Sequence, residues 1–376
     1  MYTRIGRTLV LLLLLCGPAL AAAQQPRRVP LNRGADTNDW RAYYDYGYEQ
    51  LRIHPSRSDS AFYWASRLAP NRAEPLYGRW IAFWLRNVSI FVDYLIDRTP
   101  REEVARVVQA DSFIDQALWR NPLLVRTPEL LIYDKLPGDW SEDEWTQGWL
   151  AFGDRQPERA AALWGRLLKS HPNKRPWVRY DRAIVLAALQ RYDSAIGELQ
   201  VIVSQLDRMH RDSLVRVVDS REYLLYGIGI LWLAVPNLDS ASAAFQGALV
   251  ANLSYAPAHE GLAEIAIARG DAATAAREYR LAVELLPHDV WYRDRFGVAL
   301  AQAGELRQAA AQFDTATQQD PIFADAYYQW GVTLDAAGDH AAAVTALRAY
   351  IARAARSEEG RIAEVQQRLA NLGASH

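Results

Sequence analysis

The sequence predicts an all-α chain in which pairs of helices stack one on the next. Three observations carry this. The last hundred or so residues repeat every 34 without an insertion. The small and large apolar positions inside each repeat fall at helical spacing. No alternating apolar–polar run is long enough to build a sheet.

The repeat is read in three registers. His259, Leu262, Ala263, Ala266, Gly270, Ala275, Tyr279, Ala282 and Pro287 form the first. Arg293, Phe296, Gly297, Leu300, Gly304, Ala309, Phe313, Ala316 and Pro321 form the second. Tyr327, Trp330, Gly331, Leu334, Gly338, Ala343, Leu347, Tyr350 and Ala355 form the third. These are positions 4, 7, 8, 11, 15, 20, 24, 27 and 32 of each repeat. Small residues at positions 8 and 20 let two helices approach closely. Gly270, Gly304 and Gly338 at position 15, each followed by an acid, suit a helix end and the next helix start.

A period of 34 with a large residue, Leu and Gly early, Ala midway, an aromatic four later and a closing Pro resembles the tetratricopeptide repeat. The resemblance implies a right-handed α-solenoid whose function is a binding surface, not an active site. Residues 256–357 hold three regular repeats. Upstream, residues 141–255 carry weaker copies. Gly148, Ala160, Trp164, Leu167 and Pro172 make one; Ala183, Ala195, Leu199 and Ile202 make another. A third is read from Tyr223, Tyr226, Gly227 and Ile230, with Ala241, Phe245 and Ala248 after a slightly longer turn.

Residues 39–140 hold divergent repeats with insertions. Phe62, Ala65, Leu68 and Pro70 read as a second helix, with Ser58 at the Ala position and Tyr46 at the Gly position. Ala110, Ile114, Ala117 and Pro122 read as another, with Trp80 at the small position of its partner helix. The total is about eight helix pairs, above the minimum of three. Segments Asn87–Arg101, Leu123–Trp140 and Met209–Ser220 interrupt the period. Thr99 with Glu102, Ser141 with Glu144 and Asp219 with Glu222 have N-cap spacing. Residues 358–376 end the chain in a capping helix. Ile362, Val365, Leu369 and Leu372 form its apolar stripe, with Arg361, Glu364 and Arg368 facing away.

At the other end, Arg4 and Arg7 precede the apolar run Leu9–Cys16, and Pro18 and Ala19–Ala23 follow. Residues 1–23 therefore read as a secretory signal peptide, and 24–38 as a flexible mature N-terminus. The run falls short of the roughly 20 residues that span a bilayer. Leu15 before Cys16 is too large for a lipobox, so lipidation is not expected. Export to a bacterial periplasm is the expected address. Cys16 is the only cysteine, so the mature chain forms no disulfide and no thiolate metal site.

The formal charge is −2, and without the leader −4, with no basic face that would suit nucleic acid. The seven histidines are scattered and none sits in HExxH. No phosphate-binding loop, nucleophile elbow or dinucleotide fingerprint is present; Gly227-Ile228-Gly229 is a lone GxG inside a helix. No catalytic residue, metal or cofactor is expected.

In the tetratricopeptide family, positions 2, 5, 9 and 12 of each first helix face a concave groove. The resemblance places there Glu260, Glu264 and Ile267; Trp291, Asp294 and Val298; Asp325, Tyr328, Val332 and Asp335. It places Trp177, Tyr180 and Ile184 in an earlier pair and Trp145, Trp149 and Phe152 in the one before. The family's carboxylate clamp needs Lys and Asn on these helices, and here only Arg295 resembles a clamp residue. The C-terminal groove is acidic with aromatic floor residues, which suits a basic or Arg-bearing extended segment. The sequence thus reads as a non-catalytic envelope scaffold for a protein or peptide partner. Two alternatives remain: a carbohydrate- or peptidoglycan-binding solenoid using exposed Trp and Tyr, and a subunit needed by an enzyme elsewhere. The crowd Trp40, Tyr43, Tyr44, Tyr46, Tyr48, Phe62, Tyr63, Trp64, Trp80, Phe83 and Trp84 reads first as core and second as a docking patch.

Overall fold

A computed structural model describes residues 25–95, 98–126, 129–133, 135, 144–171, 176–206 and 220–374. The leader falls outside them, as do the capping candidates Ser141 and Asp219. All regular elements among the described residues are helical. The first six are α1 (Trp40–Gln50), α2 (Pro55–Leu68), α3 (Ala73–Arg86), α4 (Val88–Leu95), α5 (Val104–Arg120) and α6 (Leu130–Tyr133). Three pairs follow: α7 (Glu144–Gly153) with α8 (Pro157–Ser170), α9 (Pro176–Ala188) with α10 (Tyr192–Leu206), and α11 (Arg221–Ala234) with α12 (Leu238–Ala251). The regular repeats are α13 (Ala256–Ala268) with α14 (Ala272–Leu285), α15 (Val290–Gln302) with α16 (Leu306–Gln319), and α17 (Ala324–Ala336) with α18 (His340–Ile351). A short 3₁₀ turn at Arg356–Glu358 leads into the last helix, α19 (Glu359–Asn371).

The chain divides into two compact units. One comprises residues 25–29, Gly47–Tyr63 and Arg72–Ala251; the other comprises Pro30–Tyr46, Trp64–Asn71 and residues 252–374. The second unit shows the repeat chemistry plainly. Gly270, Gly304 and Gly338 have φ of 76°, 81° and 84°, the left-handed turn that ends each first helix. Asp271 then accepts from Thr274 N at 3.0 Å and Asp339 from Ala342 N at 3.2 Å, capping α14 and α18. Glu305 makes no such cap. Ala263, Ala275, Tyr279, Ala309 and Phe313 are buried in one continuous core cluster. Position 8 is small because the aromatic or Leu at position 24 lies against it: a Cβ on Gly297 would stand 2.6 Å from Phe313, and one on Gly331 2.6 Å from Leu347.

The same test corrects the register upstream. Gly229, not Gly227, is the residue pressed against Phe245, since a Cβ there would overlap the ring, standing 2.6 Å from Cδ1 and closer still to Cε1. The repeat therefore begins two residues later than expected and keeps the 34-residue spacing to the next, with no longer turn. Likewise Gly47 meets Phe62 of its own pair, so Tyr46 does not hold the small position there, and Gly78 of the next helix packs on the same ring. The turn at position 15 is left-handed even where glycine is absent: Arg155 has φ 59° and Gln190 φ 58°.

Several boundaries also differ. Residues 101–103 form a turn and α5 begins at Val104, so Thr99 caps nothing. Ser220, not Asp219, occupies the N-cap of α11. Part of the stretch expected to be a free tail is anchored within its own unit. Asp36 Oδ2 accepts from Arg356 N at 2.6 Å, Arg356 Nη2 donates to Gly34 O at 2.8 Å, and Asn38 Nδ2 reaches Ala352 O at 3.5 Å. In the same unit Arg67 forks onto the buried Asp320, with Nε–Oδ2 at 2.6 Å and Nη2–Oδ1 at 2.5 Å. The aromatic crowd is mostly core: Tyr43, Phe62, Trp64, Trp80, Phe83 and Trp84 are buried, while Tyr48 is 53% exposed.

The last helix caps as expected but not with the expected outer face. Val365 and Leu369 are buried against Tyr327, Leu347 and Tyr350, with Ile362 and Leu372 packed beside them. Arg361, Glu364 and Arg368 do not face away. Arg361 Nη1 meets Asp325 at 2.5 Å, Tyr328 OH donates to Glu364 at 3.0 Å, and Arg368 Nη1 meets Asp335 at 2.8 Å. Their long stems reach past the apolar stripe to polar groups of α17.

Candidate functional site

Each first helix turns positions 2, 5, 9 and 12 to one face, and on the regular repeats that face is a linked polar surface. On α13, Glu260 accepts from Trp291 Nε1 of α15 at 2.8 Å. Glu264 takes a short hydrogen bond from Tyr279 OH. Burial, with the charges of Glu260 and Glu264, pushes the Tyr279 hydroxyl far above its ordinary range. On α15, the Arg295 guanidinium lies 4.5 Å over the Trp291 ring and meets Asp294 Oδ2 at 2.9 Å. On α17, Asp325, Tyr328 and Asp335 are held by Arg361, Glu364 and Arg368, with Arg361 also 5.1 Å over the Tyr328 ring. Hydrogen bonds from Arg368 and His340 hold Asp335 below the usual carboxylate range against slight burial.

Glu260, Glu264, Trp291, Arg295, Tyr328 and Asp335 thus share the first-helix face, Glu264 exposed and the other five half-buried. Asp294 does not behave as placed. Its side chain is fully buried, its Oδ1 has no hydrogen-bond partner, and burial raises its pKa to about 6. The reason is the tight contact with the next residue: Arg295 folds back over the helix and covers it. A solvated carboxylate wall is therefore formed by Glu260, Glu264 and Asp325, with Asp294 beneath it.

The other unit uses its first-helix face differently, because the chain itself lies there. The segment leaving α5 crosses α7, α9 and α11, and tyrosine hydroxyls read its backbone. Tyr226 OH donates to Trp119 O at 3.2 Å, Tyr223 OH to Pro122 O at 2.7 Å, and Tyr77 OH to Arg126 O at 3.1 Å. Tyr180 OH also meets Pro122 O closely. Arg126 is buried against Asp181, which accepts from Trp145 Nε1 at 2.6 Å as well. Its guanidinium lies 5.1 Å over the Tyr180 ring. Burial pulls the guanidinium down, but Asp181 and Glu129 outweigh it and hold Arg126 firmly charged.

This overturns three placements. Tyr180 is buried under the chain's own segment, and Trp145 and Trp149 are buried too, so none offers an open groove contact. Trp177 remains 38% exposed. It also reveals residues the reading missed. Tyr223 and Tyr226 occupy groove positions 2 and 5, not core positions 4 and 7. Subtracting 34 from the first regular repeat would have found them.

Among the described residues no group of three His, Cys, Asp or Glu side chains is placed to hold a metal ion. No helix among them is long and apolar enough to cross a membrane.

The stacked helix pairs define the class, a repeat solenoid. A tetratricopeptide repeat model matches residues 146–208, 229–290 and 295–370, more than half of the chain. The chain belongs to the tetratricopeptide repeat family. Among solved structures it is similar to YrrB, described as a TPR protein with an unusual peptide-binding site. That match has 21% identity, covers 54% of this chain and 97% of that one, and has a TM-score of 0.42. It is also similar to MamA, at 19% identity over 46% of this chain and 94% of that one, with a TM-score of 0.38. A search of the curated proteins matched none of them.

Proposed function

We propose that this chain is an exported, non-catalytic scaffold of the bacterial cell envelope that holds an extended, basic segment of a partner protein on the first-helix face of α13, α15 and α17. The observation that carries this is the composition of that face. Carboxylates of Glu260, Glu264 and Asp325 stand beside the half-buried rings of Trp291 and Tyr328. Charge there raises the encounter rate with a cationic segment, and the rings supply area that can be desolvated. Family membership supports the mode of binding, and Arg4, Arg7 and the apolar run Leu9–Cys16 support the address. The carbohydrate reading has less behind it, because most of the N-terminal aromatic residues lie in the core.

The test titrates fluorescent decapeptides, one Arg- and Lys-rich and one Asp- and Glu-rich, into wild type and into Glu264→Gln/Asp325→Asn/Tyr328→Ala. Selective binding of the basic peptide, weakened in the variant and by salt, is expected. The Debye length falls from about 10 Å at 0.1 M to about 3 Å at 1 M, so the Coulomb part should fade. Equal binding of both peptides, or no effect of the variant, would refute the assignment.

A further inference from the structure

Guanidinium groups recur in this fold in one setting. Arg126 lies 5.1 Å over the Tyr180 ring and pairs with Asp181. Arg361 lies 5.1 Å over the Tyr328 ring and pairs with Asp325 at 2.5 Å. Arg295 lies 4.5 Å over the Trp291 ring and pairs with Asp294 at 2.9 Å. In each case the ring is at position 2 or 5 of a first helix and an aspartate stands beside it. In the first two the arginine comes from a separate segment that lies across the helix. In the third it comes from the same helix, one residue from its aspartate.

The third is the poorly made copy. Both oxygens of Asp181 are engaged, Oδ1 by Arg126 and Oδ2 by Trp145 Nε1. Asp294 Oδ2 accepts from Arg295 Nη2, but its Oδ1 is buried with no hydrogen-bond partner. The buried Nε is unpartnered in Arg295 and Arg126 alike. Arg67 on Asp320 shows the alternative in this same unit, a two-pronged pair with both oxygens engaged. An arginine adjacent in sequence to its aspartate cannot present its fork squarely, whereas one arriving from across the helix can.

We infer that the Trp291–Asp294 site is a receptor for an arginine side chain of the partner, and that Arg295 holds the place until the partner arrives. The inference rests on the proposed binding face and names the residue it reads. The incoming guanidinium stacks on Trp291 and takes both oxygens of Asp294, while Arg295 turns toward Glu264, whose charge it already senses. Lysine fits poorly, because an ammonium neither stacks nor forks. Arg295 then opposes binding, the reverse of a clamp residue.

The test uses the full chain and a labelled peptide of three Ser-Arg-Gly repeats, with Lys and Gln counterparts. Affinity is read by anisotropy. The Trp291 site is read by fluorine NMR of protein carrying 5-fluorotryptophan, with the Trp291 resonance assigned from Trp291→Phe. Arg295→Gln should bind the Arg peptide about three- to tenfold tighter than wild type, equivalent to roughly 0.6–1.4 kcal/mol. The Trp291 resonance should move on binding, and the Lys peptide should bind more weakly to both proteins. Arg295→Lys, which keeps the charge without the plane, should fall between them and guards against a folding defect. Weaker binding by Arg295→Gln with the resonance still moving would overturn the place-holder and leave the binding face intact. No binding, or binding that leaves the resonance unmoved, would overturn both.

Discussion

Two glycines in α11, two residues apart, should respond to alanine in opposite ways. A Cβ on Gly229 would stand 2.6 Å from Phe245 Cδ1 and 2.8 Å from Cζ. Phe245 is fully buried and cannot withdraw. Overpacking of this kind costs about 1–3 kcal/mol, and the overlap here belongs at the upper end. Alanine returns about 1 kcal/mol of helix propensity, leaving a net loss near 2 kcal/mol. A Cβ on Gly227 meets Leu199 at 3.5 Å and Pro122 at 3.7 Å, ordinary contact distances. Gly227→Ala should therefore keep most of that gain of about 1 kcal/mol. For a unit of this size each kcal/mol moves Tm by about 2–4 °C. Thermal and urea unfolding followed by far-UV circular dichroism should place Gly229→Ala roughly 4–8 °C below wild type and Gly227→Ala about 2–4 °C above. If Gly227→Ala is the more damaging of the two, the helix is rotated to the register first read from sequence, and the assignment of Tyr223 and Tyr226 to the groove face fails with it.

Three further outcomes follow from named contacts. Gln190 holds a left-handed φ of 58°, which costs a side-chain-bearing residue about 1–2 kcal/mol, so Gln190→Gly should stabilise by about 0.5–1 kcal/mol after glycine's larger chain entropy is counted; a lower urea midpoint would contradict this. Asp294 is raised to about 6 by burial, so its contribution to stability is fully present below its unfolded value and is lost as pH climbs through about 6. Comparing urea midpoints of wild type and Asp294→Asn at acid and neutral pH should show wild type losing on the order of 3 kcal/mol relative to the variant as pH rises, and parallel profiles would exclude the buried ionisation. Arg67→Ala leaves Asp320 buried without its fork and should destabilise by about 2–3 kcal/mol, below the roughly 3–5 of a fully buried pair because Arg67 keeps some solvent; Arg67→Lys should recover only part of this, and an unchanged Tm in the alanine variant would show the pair to be immaterial.

The sequence alone determined the helices, the period and the face each regular repeat presents. Those follow from local rules: Ala and Gly where helices cross, Gly at the left-handed turn, an acid to start the next helix. Such rules are written within 34 residues and need no knowledge of distant chain. They faltered where one signal had two readings, as at Gly227 and Gly229, which differ only in which lies under Phe245. The tertiary structure decided what covers each face. Nothing local in the sequence says that the segment around Pro122 lies across Tyr180 and Tyr223, or that Arg361 and Arg368 turn back onto α17. Nor does it say that Arg295 buries the carboxylate beside it. Those outcomes depend on which groups, far apart in sequence, lose water together. A carboxylate at a groove position is a solvated contact or a buried ion pair according to the neighbour that reaches it first.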